Sequence, residues 1–499
     1  MFTIISLKLR ISSLFLAVGL PAFCMSATLS GSQPNILWII AEDLSPDLGC
    51  YGETVAKTPH IDALAAEGVR FTQVIGTSSV CSVNRSAFHT AMYQTSIASQ
   101  NHRTDPRPML PEGVRTLPAY FRAAGYYVSN GAGAFDPDNP AWPLTVPGKV
   151  DWNFSAPDGG FDGPDWAGRA DGQPFFAQIN IAETHRDWTP DKKRPIDPAD
   201  VTIPPYYPDH PLVRKDWASY LEEAQILDDK VATILQRLED ERVADNTIVF
   251  FFGDNGRPFC RGKIFVYEAG LRVPLIIRYP DGRQAGSVDD RLISMIDLLP
   301  TTMEMAGIAR PPHFHGKSFL NSGPIHRSVV YAAKDRVGSF PDRIRAVRDT
   351  RYKYIRNYRP EMPYLPGNRY SLLMHPSLAA LLMLGERGEL NAAQQPFAAK
   401  RKPVEELYDL QNDPWEIHNL AADPAQHDRL VAFRAQLEAW IEFTDDQGAE
   451  PEPESSYVPY RNWLDDLERD YLKRYGLDAL TPENMYAYWM QHYGYTESD

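Results

Sequence analysis

At 499 residues the chain is longer than one hydrophobic core usually fills, so two or three subdomains are expected. Its 43% hydrophobic and 11% aromatic content is that of an ordinary globular protein, and 42 prolines point to many irregular loops. A formal net charge of −15 excludes nucleic acid as a partner and requires any anionic ligand to meet a locally basic pocket.

The chain opens as a targeting segment. Lys8 and Arg10 precede an apolar run from Ile11 to Phe23, and the small residues Ser26 and Ala27 offer a cleavage site. The run is too short to span a membrane comfortably, and bulky Phe23 directly before Cys24 suits a lipidation site poorly. A signal peptide over residues 1–27 and a secreted or periplasmic protein are expected, with no transmembrane segment after cleavage. Four cysteines, one of them in the leader, do not make a disulfide scaffold. Cys50 and Cys260 could pair in an oxidising compartment, but sequence cannot place them within bonding reach.

Asn35 to Ala41 (NILWIIA) is a continuous apolar run, the pattern of a strand buried on both faces. It ends in the acidic pair Glu42-Asp43. Thr58-Pro59 opens a helix through Ile61, Leu64 and Ala65 that closes at Gly68. Ser78 to Arg103 then holds Cys81 and, four residues on, Arg85. Ala87, Phe88, Ala91 and Met92 fall on one face of a helix that Ser82 or Ser86 would cap, with Cys81 at its N-terminus. That position favours an anion and would lower the thiol's pKa. Arg85, one turn on, can grip a tetrahedral oxyanion with two parallel hydrogen bonds.

Leu117 to Ala124 reads as a helix stopped by Gly125, and Tyr126 to Ser129 as a short strand. Residues 130–172 are rich in Gly, Pro and Asp and read as loop, with Lys149 inside them. Phe175 to Ala182 is another buried strand, followed at once by Glu183-Thr184-His185. Trp217 to Glu239 is a long amphipathic helix. Thr247 to Phe252 is a strand leading into Gly253-Asp254-Asn255-Gly256, and Val273 to Tyr279 is a fifth. Glu42-Asp43, His185 and Asp254-Asn255 thus each sit past the carboxyl end of an apolar strand, the edge where ligands bind in a doubly wound α/β sheet.

From about residue 324 the character changes. Ile344 to Tyr358 reads as an antiparallel hairpin whose basic residues form a solvated face. Glu406 to Leu410 is a further strand and Leu430 to Phe443 an amphipathic helix. After Glu450 come a Pro-Glu linker and a Tyr- and Trp-rich helical end.

Glu42, Asp43, Asp254 and Asn255 form an all-oxygen set of the kind that Ca²⁺ or Mg²⁺ prefers, and the amide oxygen favours Ca²⁺. Arg85, Lys149, His185 and Lys263 could converge on one anion. The order of motifs resembles the type I, formylglycine-dependent sulfatase family of the alkaline phosphatase superfamily. The matching stretches are NILWIIAEDLSPDLGCYG, TPHIDALAAEGVRFTQ, CSVNRSAFHTAMY, PFFAQINIAETH, FFFGDNGRPFCRGKIFVYEAGLRVPLIIRYP and ELYDLQNDPWEIHNL, in the family's order. The finer likeness is to bacterial sulfatases related to the heparan N-sulfatase branch.

The resemblance implies an alkaline-phosphatase-like, mostly parallel central sheet flanked by helices in a catalytic domain over 34–323. A smaller C-terminal α+β subdomain with an antiparallel sheet would fill 324–450, and a partly helical tail 451–499. It also implies that a maturation enzyme oxidises Cys81 to formylglycine, whose hydrate attacks sulfur, releases the alcohol and then expels sulfate. Glu42, Asp43, Asp254, Asn255 and residue 81 would surround Ca²⁺, with Mg²⁺ the lesser alternative. Arg85 would hold the hydrate, Lys149 and Lys263 the sulfate oxygens, and His185 would protonate the leaving group, with His102 a further substrate contact. The sequence departs from the family at three places: Val83 stands where Pro or Ala follows the cysteine by two, Glu42 replaces an Asp, and Asp151 replaces a histidine two residues after the lysine. The expected activity is hydrolysis of sulfate esters or sulfamates, with a sulfated carbohydrate as the expected substrate. The alternatives are a phosphonate or phosphate monoesterase on the same scaffold and an inactive glycan-binding relative.

Overall fold

A computed structural model describes residues 33–133, 135–320, 323, 325–365 and 369–496; the leader over 1–27, with Cys24, lies outside them. Among the described residues, the first strand is β1 (Asn35–Ala41), followed by β2 (Val69–Ile75), β3 (Tyr127–Ala132) and β4 (Phe175–Ile181). Then come β5 (Thr247–Gly253), β6 (Arg272–Arg278), β7 (Ser287–Asp289) and β8 (Ile293–Ser294). These form one sheet in the order β3-β4-β1-β5-β6-β2-β7, with β8 beside β2. β3, β4, β1 and β5 run parallel, whereas β6 is antiparallel to both β5 and β2. The sheet is therefore mixed but mostly parallel.

Successive side chains of a strand point to opposite faces, so an unbroken apolar run needs a core on each side. Ile36, Trp38 and Ile40 of β1 enter a core with Phe88, Phe121, Phe176 and Phe252. Leu37, Ile39 and Ala41 enter another, built with Leu227, Val231 and Ile234 of the long helix Pro211–Asp240. Burying each such large side chain contributes about 1.5–3 kcal/mol. The long helix begins six residues before the expected Trp217, because the side chain of His210 caps it by accepting from the Leu212 N–H. The unanticipated β2 alternates only weakly (Val-Arg-Phe-Thr-Gln-Val-Ile) and its register shifts between Phe71 and Val74, which hides the two-residue period.

A second, antiparallel sheet holds β9 (Val330–Lys334), β10 (Ile344–Arg348), β11 (Tyr352–Asn357) and β12 (Glu405–Asp409), in the order β12-β11-β10-β9. The hairpin forms as expected, but its basic face is not solvated. Arg345 and Lys353 are fully buried: Arg345 pairs with Asp335 and Asp446, and Lys353 with Glu268 and Glu416. Cys50 and Cys260 are free thiols, packed into different cores. Helices Val458–Tyr475 and Pro482–Tyr493 end the described chain, and no described helix is long and apolar enough to cross a membrane.

Candidate active site

β4, β1 and β5 are neighbours and parallel, so their carboxyl ends lie side by side. Glu42-Asp43 leaves β1, Glu183-Thr184-His185 leaves β4 and Asp254-Asn255 leaves β5. The three turns are tied together: the Thr184 N–H donates to the Glu42 carbonyl at 2.9 Å and the Asp43 N–H to Asp254 Oδ1 at 3.0 Å. Side chains at Gly253 or Gly256 would collide with the Leu44 and Ala269 carbonyls, so the turn that presents Asp254-Asn255 needs glycine at both ends. Asp43 itself takes φ 55° and Ile264, next to Lys263, φ 71°. A β-branched residue in the left-handed region is costly, and such strain concentrates at functional sites.

Helix Cys81–Thr90 points its first turn at this edge. Its N-cap is Val80, with no side-chain cap, in place of the expected serine. Ser82 Oγ instead bonds His102 Nδ1 at 2.7 Å, and Ser86 Oγ accepts the Asn153 N–H. The ligand atoms of Asp43, Cys81 and Asp254 lie within 4.8 Å of one another, as do those of Glu42, Cys81 and His185. Cys81 Sγ donates to Asp43 Oδ1 at 3.6 Å. Burial pushes the thiol up to about 12, with Lys149 and Lys263 opposing only in part. The helix end does not make Cys81 the low-pKa thiolate expected from its position, because desolvation outweighs the dipole.

Three cations answer three acids. Arg85 is fully buried; its Nε contacts Asp254 Oδ2 at 2.9 Å and its Nη1 donates to Asn180 Oδ1 at 2.6 Å. Lys149 meets Glu42 at 2.6 Å and Lys263 meets Asp43 at 2.7 Å. Burial raises the Glu42 and Asp43 carboxyls, but the facing lysines outweigh it and hold both low, whereas Asp254 stays raised despite Arg85. His185 Nε2 lies 3.8 Å from Asp43, and burial followed by the Lys263 charge holds it below the usual histidine range. His102 is pushed down in the same way, by burial and Arg103. Asp151 neutralises Arg103 at 3.4 Å and lies 3.9 Å from Lys149.

All ten sequence-derived site residues are thus brought to one place. Asn255 Nδ2 donates to Asp43 Oδ1 at 2.9 Å, while its Oδ1 is buried without a partner among the described residues. An orphaned amide oxygen beside three carboxylates suits a hard divalent cation. Asn84 and Asn180 escaped the sequence reading; Asn84 Nδ2 holds the Asp254 carbonyl at 2.6 Å and Asn180 holds Arg85. The signal for Asn180 was present, since Gln178 and Asn180 put polar groups at alternate positions of an otherwise apolar buried strand.

A cavity of about 290 Å³ opens above Asp43, Cys81, His185 and Lys263, walled by residues as distant in sequence as Tyr460 and Trp463. A buried cysteine, a cluster of carboxylates able to hold a cation and converging positive charges, set at the carboxyl edge of this sheet, suit a hydrolase of anionic esters. The chain belongs to the sulfatase family, whose sequence model matches residues 34–159 and 162–308, and it is a sulfuric ester hydrolase. A second model, for the C-terminal part of N-sulphoglucosamine sulphohydrolase, matches 260–364, and neither match extends past residue 364. The chain is 34% identical to an ulvan-active sulfatase of Formosa agariphila over 85% of this chain and 77% of that one. It is 25% identical to human N-sulphoglucosamine sulphohydrolase, covering 84% and 93%. Its fold is similar to a solved putative sulfatase of Bacteroides thetaiotaomicron, with a TM-score of 0.61 at 21% identity, covering 84% and 94%.

Proposed function

We propose that this sulfatase is exported to the periplasm or medium and removes sulfate from a sulfated polysaccharide, with ulvan the first candidate. The likeness to an ulvan-active sulfatase supports that choice of substrate. The observation that carries the chemistry is the position of Cys81 Sγ, on the cavity floor and within reach of acids from two strand ends. Oxidised by a maturation enzyme to formylglycine, residue 81 would supply a hydrated aldehyde as nucleophile. Glu42, Asp43, Asp254 and Asn255 would hold Ca²⁺, which would offset charge on the sulfate oxygens.

The chain's own residues account for the rest. Arg85, pinned by Asp254 and Asn180, keeps a fixed positive charge beside residue 81 without reorganisation. Lys263, which lines the cavity beside Asp43, and Lys149, paired with Glu42 at the same strand edge, would hold sulfate oxygens. His185 stands where it can give a proton to the departing sugar oxygen, a step that matters most for a poor leaving group. Asp151, which the family resemblance sets where a histidine is expected, is paired with Arg103, and His102, anchored by Ser82, offers a neutral imidazole beside them.

Mass spectrometry of the peptide containing residue 81 tests the nucleophile: conversion lowers its mass by about 18 Da relative to the thiol. Cys81→Ala should abolish turnover of 4-nitrophenyl sulfate. An unmodified thiol in an active enzyme, or a Cys81→Ala variant with near-normal kcat, would refute the mechanism. Faster turnover of 4-nitrophenyl phosphate than of the sulfate would shift the reading to a phosphate monoesterase.

A further inference from the structure

The cavity over Cys81 has a wall that no part of the proposed chemistry uses. Much of it, with Tyr370, Tyr460 and Trp463, comes from segments beyond residue 364, outside both family matches, and it is rich in aromatic rings. Starting at His102, whose Nδ1 is held by Ser82 next to Cys81, the ring of Tyr460 lies edge-on at 5.5 Å. Trp463 follows at 5.3 Å from Tyr460, and Tyr370 lies 6.4 Å from Trp463 with its plane tilted by 27°. The three rings line one wall of the cavity, with Tyr370 and Tyr460 close enough to Lys263 to interact with its charge and Trp463 joining the two. Tyr460 and Trp463 sit on adjacent turns of helix Val458–Tyr475, which places both on the same face.

The outer end of this wall is incompletely buried. Trp463 is 41% exposed and Phe340, on the same cavity, 37%. Large apolar rings facing water in a concave site mark a place where a ligand removes them from solvent. The wall's cations offer nothing to a second anion: Arg369 is bridged by Asp465 and Glu468 at 2.6 and 2.9 Å, and Lys334 by Asp342 at 2.9 Å. An apolar face with neutralised charges suits the C–H face of a sugar ring better than another sulfate. A polar anchor is also present. His375 is 5% exposed, lines the cavity, and its Nδ1 has no partner among the described residues. Burial, then the charges of Arg186 and Lys263, hold it far below the usual histidine range, so it is a neutral ring able to serve a hydroxyl.

We propose that Tyr460, Trp463 and Tyr370 form a track that stacks on the C–H faces of the sugar rings of the leaving group, making helix Val458–Tyr475 the element that selects an oligosaccharide over a simple sulfate ester. The proposal rests on the reading that sulfate is cleaved at residue 81, and the test keeps the two apart. Kinetics are measured on mature enzyme with 4-nitrophenyl sulfate, which is too small to use the track, and with sulfated oligosaccharides from ulvan and from heparan sulfate.

Trp463→Ala should lower kcat/KM on the preferred oligosaccharide by about tenfold or more, mainly through KM, as loss of an aromatic anchor does. Turnover of 4-nitrophenyl sulfate should stay within about twofold, since a partly exposed ring can be truncated without emptying a core. Trp463→Phe should recover most of the loss. Equal losses on both substrates, no loss on the oligosaccharide, or a wild type no better on any oligosaccharide than on the aryl ester would each overturn the track. A wild type inert on 4-nitrophenyl sulfate and oligosaccharides alike would overturn the catalytic reading on which it rests.

Discussion

Replacing Arg85 by methionine keeps most of the side-chain volume and removes the buried charge. The guanidinium holds Asp254 at 2.9 Å, Asn180 at 2.6 Å and the Lys149 carbonyl at 3.3 Å, all in a place without solvent contact for the arginine. Its loss strands a carboxylate that burial already penalises, and breaking a buried pair from one side costs about 3–5 kcal/mol. That is a large share of an ordinary domain's stability of about 5–15 kcal/mol. The second half of the experiment is Arg85→Met with Asp254→Asn, which leaves no charge to strand. Urea unfolding in the presence of chelator should then show the double variant more stable than the sum of the single losses by about 1 kcal/mol or more. Turnover should fall by about 10²–10³-fold in Arg85→Met, the scale for one preorganised electrostatic group. Additivity within about 0.5 kcal/mol would show that the pair does not carry the site's internal balance.

Two other outcomes are expected. Chelation should abolish turnover and Ca²⁺ restore it better than Mg²⁺; saturation a hundredfold above Kd should also stabilise the fold by about 2.7 kcal/mol, read as a raised Tm. An enzyme indifferent to chelator in both readouts has no cation at Glu42, Asp43, Asp254 and Asn255. Away from the site, burial, opposed by the Thr189 N–H and reinforced by Glu183, lifts Glu223 to about 8. Because the folded state holds this proton more tightly than the unfolded one, the stability it confers is full below about pH 4.5 and is lost as pH rises through 8. Glu223→Gln, a neutral mimic, should flatten that decline in Tm between pH 5 and 8, and a variant with the wild-type slope would refute the assignment.

The strands that carry the site were legible because burial on both faces leaves an unbroken apolar signature, and the ends of β4, β1 and β5 follow directly from three such runs. β2 was not legible, since a half-buried strand with a shifted register has neither that signature nor a clean alternation. The buried basic face of the hairpin is illegible in the sequence for a different reason. Arg345 finds Asp446 at a separation of 101 residues, and local sequence carries no trace of such a partner. The raised thiol of Cys81 is not legible either, because its helix position is a local property while its desolvation depends on the whole assembled edge. The aromatic wall likewise joins residue 102 to residue 460, and a Tyr- and Trp-rich tail read alone suggests only a helix.

An acidic chain that hydrolyses anionic sulfate esters must solve its charge problem locally. In the structure Arg85, Lys149 and Lys263 are spent on Asp254, Glu42 and Asp43, so the edge is close to neutral and the lysines are tied to carboxylates. A divalent cation taking those carboxylate oxygens would compete with the lysines for the same lone pairs and leave the edge with surplus positive charge. Cation and anion binding must then be linked, and linkage is reciprocal. Inorganic sulfate should raise Tm more when Ca²⁺ is present than when it is chelated, and Ca²⁺ should bind more tightly in sulfate. Equal sulfate shifts in both conditions would mean that the lysines are already free, contrary to the 2.6 and 2.7 Å contacts that hold them.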